Sequence, residues 1–97
     1  MEHYLIMYRP PRSTFGDDAT EAESAVIAQH FTYLSDLHAK GILLLAGRTS
    51  GAEFGIAILE VDSESTARAL MEADPAVSNN VFTGELYPYS LALLAGR

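Results

Sequence analysis

The sequence predicts an α+β fold in which a strand, a helix, two strands, a helix and a strand follow one another. This is the split β-α-β-β-α-β plan, an antiparallel sheet with both helices on one face. Three observations predict it. Short apolar runs recur at His3 to Arg9, Ile42 to Arg48, Glu53 to Val61 and from Val81 onward, the first of them aromatic and β-branched. Two stretches of helical period separate them. Proline, glycine or a cluster of small polar residues punctuates each boundary.

The first strand, His3 to Arg9 (HYLIMYR), stops at Pro10-Pro11, where neither proline can donate to a ladder. Arg12 to Thr20 (RSTFGDDAT) is rich in Ser, Thr, Gly and Asp and reads as a loop. It ends with Thr20 placed as an N-cap and Glu23 at the capping-box spacing. A helix of about 20 residues follows and ends at Gly41, the usual C′ residue. Ile42 to Arg48 (ILLLAGR) and Glu53 to Val61 (EFGIAILEV) are strands two and three, joined as a hairpin by the turn Thr49-Ser50-Gly51-Ala52. Ser63 caps a shorter helix, Glu64 to Ala73, whose Ala67, Leu70 and Met71 recur at helical spacing before Asp74-Pro75 halts it. From Val81 to Leu94 the pattern returns to strand, interrupted at Pro88, which suits an edge or a bend. The 97 residues form a single domain, 1–97, because chains divide into separate cores only well above this length.

The strands are apolar on both faces: Tyr4, Ile6 and Tyr8 alternate with Leu5 and Met7, Leu43 and Leu45 with Ile42 and Leu44, and Ile56 and Ile58 with Ala57 and Leu59. Two helices cover only one side, so a second copy of the chain is expected on the other. Large exposed apolar patches are uncommon in monomers. The expectation is a homodimer with its sheets packed face to face, a dimeric α+β barrel. The alternative is a monomer whose apolar face is partly shielded by the 12–20 loop.

Thirteen acidic residues against six basic ones give a formal net charge of −7, which opposes phosphate backbones and anionic membranes. The basic residues are scattered, so neither nucleic acid nor a membrane surface is expected as a partner. Zero cysteines exclude a disulfide framework, a thiolate zinc site and a cysteine nucleophile. The N-terminal residues lack the basic and apolar regions of a signal peptide, and no 18-residue apolar run occurs. A cytoplasmic location is the expectation.

Chemistry points first to His30. At about 100° per residue it falls in one arc with Val26, Leu34, Leu37 and Gly41, flanked by Ile27 and Tyr33. The long helix therefore turns an imidazole toward the interior. A core histidine bonded to a carbonyl or a water is the competing reading. Asp74 follows the last turn of the second helix, where a negative charge meets the negative end of the macrodipole and loses a few tenths of a kcal/mol or more. A carboxylate placed there against its local interest invites a compensating partner, although Asp-Pro is also a good helix stop.

His30-Phe31-Thr32-Tyr33-Leu34, then Leu37, Gly41, Leu43, Ala46-Gly47 and Ala73-Asp74-Pro75-Ala76-Val77, resemble the YCII-related proteins. Those carry H-x-x-Y-L, G-x-L-x-x-A-G and A-D-P at similar separations, and the resemblance covers nearly the whole chain. It implies a ferredoxin-like dimeric α+β barrel with an active-site histidine and aspartate, here His30 and Asp74. One member type is similar to a dehydrochlorinase acting on a chlorinated hydroxyhydroquinone, and related barrels isomerise muconolactones or oxidise aromatics without a cofactor. Arg48 departs from the family, which commonly has proline after Ala-Gly.

If His30 and Asp74 meet, the carboxylate fixes the imidazole tautomer and leaves the other nitrogen as a general acid or base. The expected activity is then proton transfer on a small cyclic or phenolic substrate, giving elimination or isomerisation with no cofactor and no covalent nucleophile. Arg9 and Arg48 end strands one and two and could clamp a carboxylate or phenolate; solvated strand ends are the plainer role. Tyr8, sharing a strand face with Tyr4, is a candidate for substrate contact as well as for packing. Ser78, in a Ser-Asn-Asn loop near Asp74, is a candidate hydrogen-bond partner for a ligand. His30 and His38 lie two turns apart, roughly 12 Å along a helix, so they cannot share a metal ion, and His38 is expected to be packed. The competing class is a non-catalytic module that binds a metabolite or serves as an accessory subunit.

Overall fold

Four strands, β1 (Glu2–Arg9), β2 (Leu43–Arg48), β3 (Gly55–Val61) and β4 (Thr83–Pro88), form one sheet in the order β2-β3-β1-β4, every neighbouring pair antiparallel. Between them run α1 (Phe15–Asp18), α2 (Glu21–Ala39), α3 (Glu64–Ala73) and α4 (Pro75–Ser78). The structure is a computed structural model and describes residues 1–96. Strand order and direction are those of the ferredoxin-like fold that the split pattern predicts.

The helix side of the sheet carries the core. Tyr4, Ile6 and Tyr8 of β1 stand beside Ala57, Leu59 and Val61 of β3 and Leu43 of β2, and Leu34 and Leu37 of α2 and Ala67 and Met71 of α3 close over them. Each buried Leu or Ile contributes roughly 1.5–3 kcal/mol relative to exposure. The helix ends follow the expected chemistry. Thr20 and Glu23 form a reciprocal capping box, with Thr20 Oγ1 accepting from the Glu23 amide and Glu23 from the Thr20 amide. At the other end Gly41 adopts a positive φ of 75°, and the amides of Gly41 and Ile42 donate to His38 and Leu37 carbonyls, a Schellman closure. Ser63 Oγ accepts from the Thr66 amide at the start of α3.

Four expectations need correction. The 12–20 segment is not all loop, because Phe15 is buried and pulls residues 15–18 into one helical turn. β3 starts at Gly55 rather than Glu53, since the Glu53 amide turns away to Thr49 Oγ1. β4 ends at Pro88 rather than Leu94; Pro88 has no N–H, and one further bond, from Tyr89 to the His3 carbonyl, closes the pairing. In β2 a register shift between Leu43 and Leu45 breaks the period of two. Leu43 therefore lies opposite Leu59 on the helix side, whereas Leu45 lies opposite Ile58 on the other face.

That other face carries Leu5 and Met7 of β1, Ile56 and Ile58 of β3, Leu45 of β2 and Tyr87 of β4. Ile58 is buried, Leu5, Met7 and Ile56 are half-buried, and Leu45 and Tyr87 are exposed. Among the described residues, no helix is long and apolar enough to cross a membrane.

Candidate functional site

The pairing of β1 with β3 places Tyr8 at the end of the core row, and the amphipathic period of α2 lowers His30 onto it. The two rings meet edge to face with centroids 5.1 Å apart. Asp74 joins them from the junction of α3 and α4. Its carboxylate is 0% exposed, and His30 Nδ1 lies 2.8 Å from both oxygens. Tyr8 donates its hydroxyl to Oδ2 at 2.9 Å, and the Ala76 amide donates to Oδ1 at 2.9 Å.

This arrangement corrects the macrodipole argument for Asp74. The residue caps the C-terminus of α3 and is at the same time the N-cap of α4, with Pro75 in the first turn. Its charge therefore faces a helix N-terminus and a bonded amide, and the local cost is offset before His30 is counted. Capping and pairing are both real roles of the one carboxylate.

Because Asp74 already accepts from a hydroxyl and an amide, it meets the imidazole as a third acceptor contact, which favours the tautomer with the proton on Nδ1. Nε2 then carries a lone pair. It takes no hydrogen bond among the described residues, and no buried side-chain nitrogen or oxygen there lacks a partner, so Nε2 keeps access to the space beyond. That space is a groove of about 1070 Å³ between α2, the 10–19 segment and the β2–β3 hairpin. The His30 side chain is 13% exposed on its wall.

Aromatic rings surround the imidazole. Phe82 packs edge to face on His30 at 5.6 Å and on Phe15 at 5.6 Å, and Phe15 is carried by α1. Arg12 fixes this turn. It forms a fork on Glu23 with both contacts at 2.8 Å, binds Asp18 at 2.8 Å, and lies over the Phe15 ring. Burial pushes the Tyr8 phenol up, and the Asp74 charge and hydrogen bond push it further, so Tyr8 stays a donor. Burial, with a smaller contribution from Asp74, also raises Tyr33, whose hydroxyl donates to the Leu70 carbonyl and ties α2 to α3.

Of the residues singled out in the sequence, the structure brings His30, Asp74 and Tyr8 together and lines the same groove with Arg48. Arg9 is not with Arg48. β1 and β2 run parallel with β3 between them, but Arg9 points to the opposite face of the sheet and pairs with Glu85 at 2.7 Å. Ser78 is exposed at the end of α4, away from the groove lining. His38 is exposed on the groove rim rather than packed, because it falls in the last turn of α2, beyond the core. Among the described residues, no three His, Cys, Asp or Glu side chains gather as a metal site. Sequence reading missed Arg12, Phe15 and Phe82. Phe15 has one signal, a lone phenylalanine in an otherwise polar segment, and Phe82 is part of the apolar run that opens the last strand.

The fold is similar to that of a 5-chloro-2-hydroxyhydroquinone dehydrochlorinase from Burkholderia phenoliruptrix, solved in complex with 2,5-dihydroxybenzoquinone. The TM-score is 0.71 at 17% identity, over 93% of this chain and 95% of that one, so the likeness is one of fold. No curated protein matches the sequence. The model of the YCII-related domain matches residues 1–88, and with the strand order above it shows that the chain belongs to the YCII-related family.

Proposed function

We propose that the protein is a small-molecule enzyme in which His30, oriented by Asp74, moves a proton on a small cyclic or phenolic substrate, giving elimination or isomerisation. One observation carries this reading: His30 Nδ1 lies 2.8 Å from a fully buried carboxylate while the His30 ring lines a groove. Protonation of Nε2 would place an imidazolium against Asp74, so the pair stabilises the state formed when the base has acted. Phe31, which is 71% exposed, and Phe54 and Phe82 offer flat apolar surfaces along the same groove. A quinone-like ring, as bound by the dehydrochlorinase of similar fold, suits such walls. In the elimination, His30 takes a proton, chloride leaves with its bonding pair, and the ring is left as a hydroxyquinone. Atoms and electrons balance without an external oxidant.

A second copy of the chain is part of the proposal, seated on the open face formed by Leu5, Met7, Leu45, Ile56 and Tyr87. The direct test of the chemistry follows chloride release and quinone absorbance with 5-chloro-2-hydroxyhydroquinone and related halogenated hydroquinones, and ring-opening or shift products with small lactones. Turnover by the wild type should fall by about 10²–10⁴-fold in His30→Gln, with the wild-type far-UV circular dichroism retained. Equal turnover by the variant, or none by the wild type on either panel, would count against the proposal.

A further inference from the structure

Three residues stand in one line across the floor of the groove. Tyr8 lies opposite Gly55, and Gly55 lies opposite Arg48. Directly opposed residues share a face, and adjacent strands are about 4.8 Å apart, so the Tyr8 and Arg48 backbones are separated by roughly 10 Å. His30 packs on Tyr8 at one end of this row, and Arg48 lines the groove at the other. The middle position has no side chain. A Cβ on Gly55 would stand 3.0 Å from the Gly47 carbonyl oxygen, so the glycine both permits the close hairpin and leaves the floor open. The bare position over Gly55 leaves open floor between the Tyr8 end of the row, where His30 packs, and the Arg48 end.

Arg48 is also chemically unspent. Among the four described arginines, Arg9, Arg12 and Arg68 each have a carboxylate partner, whereas Arg48 has none. Only its Nη1 is engaged, donating to the Thr49 carbonyl at 3.0 Å and the Ser50 carbonyl at 3.3 Å. Those two bonds steady the side chain and leave its Nε and Nη2 edge, the edge that forms a fork with a carboxylate, without a hydrogen bond among the described residues. In a chain of formal net charge −7 with thirteen acidic residues, an unpaired arginine on a groove wall is a local exception to the field.

We infer that Arg48 is the anion-recognition residue of this groove and that the substrate is a planar ring carrying a carboxylate, placed one ring-width from the atom that His30 deprotonates. The inference rests on the proton-transfer reading for the direction of the substrate, but its binding component stands apart from it. Phe31 and Phe54 supply the faces for the ring, and Arg48 sets which end turns away from His30.

Binding separates the two ideas. The dissociation constants of 2,5-dihydroxybenzoate and of hydroquinone, its uncharged counterpart, are measured by NMR on the full chain for the wild type, Arg48→Met, Arg48→Lys and His30→Gln. The carboxylate should bind the wild type about tenfold more tightly than the neutral ring, with amide shifts centred on Gly47, Gly55 and Ile56. Arg48→Met should erase that preference while leaving hydroquinone affinity unchanged, and Arg48→Lys, which keeps the charge and loses the fork, should restore only part of it. His30→Gln should retain the preference. A wild type without the preference, or an Arg48→Met variant that keeps it, would overturn the assignment. Failure of the proton-transfer reading would appear elsewhere, as undiminished turnover in His30→Gln with these binding differences intact.

Discussion

His30 and Asp74 are 44 residues apart in the chain and 2.8 Å apart in space, and each is held from a different side. The imidazole is fixed by α2 and by the Tyr8 and Phe82 rings; the carboxylate is fixed by the Ala76 amide and the Tyr8 hydroxyl. The helical arc and the family resemblance made both residues legible in the sequence. Tyr8 was legible as a candidate, but its role as a donor to Asp74 was not, because a period-two pattern tells which face a side chain takes and not which atom it meets. The placement of Arg9 on the wrong face was in principle readable, since Tyr8 and Arg9 are consecutive in a strand. Asp74→Asn follows from this geometry. An asparagine can still accept from Ala76, but its amide would donate to Nδ1 and drive the imidazole proton onto Nε2. Turnover should fall on the order of 10²-fold or more, with little change in far-UV circular dichroism; retained turnover would argue that the tautomer is irrelevant.

At the scale of elements, capping chemistry is local and was readable: the Thr20–Glu23 box, the Gly41 closure and the Ser63 cap all occur. What was not readable depends on distant contacts. α1 exists because Phe15 finds Phe82, far along the chain, and because Arg12 reaches Glu23. The β2 irregularity depends on how β3 pairs with it. The Arg12 network gives a pH-dependent prediction. Arg12, with help from the Thr20 amide, holds the Glu23 carboxyl down at about 2, and Thr14 and Arg12 hold Asp18 below its usual range. Both carboxylates have lower values folded than unfolded, so their contribution is present above the unfolded value and is lost as pH falls through the folded one. The difference in Tm between wild type and Glu23→Gln should be largest above about pH 5 and shrink toward pH ~2. A constant difference across that range would show that Arg12 does not act on Glu23 through charge.

For the whole molecule, strand order was legible because alternating strands and helices with short connections leave few antiparallel arrangements. The open face was legible too, as apolar residues at both parities of β1 and β3, although the β2 irregularity moves Leu43 off that face and leaves Leu45 on it. A partner copy would bury Leu5, Met7, Ile56 and Tyr87 together. Sedimentation at micromolar concentration should therefore give twice the 10.5 kDa chain mass, and Met7→Asp should return it to a single chain. A wild-type monomer at that concentration would remove the second copy from the account.

The most direct measurement is the tautomer of His30, read from long-range proton–nitrogen correlations of the labelled imidazole at a pH where the ring is neutral. The account predicts a protonated Nδ1 and a bare Nε2 in the wild type, with the two exchanged in Asp74→Asn. A wild-type ring protonated at Nε2, or a tautomer indifferent to Asp74, would contradict the pairing on which the proposed chemistry stands.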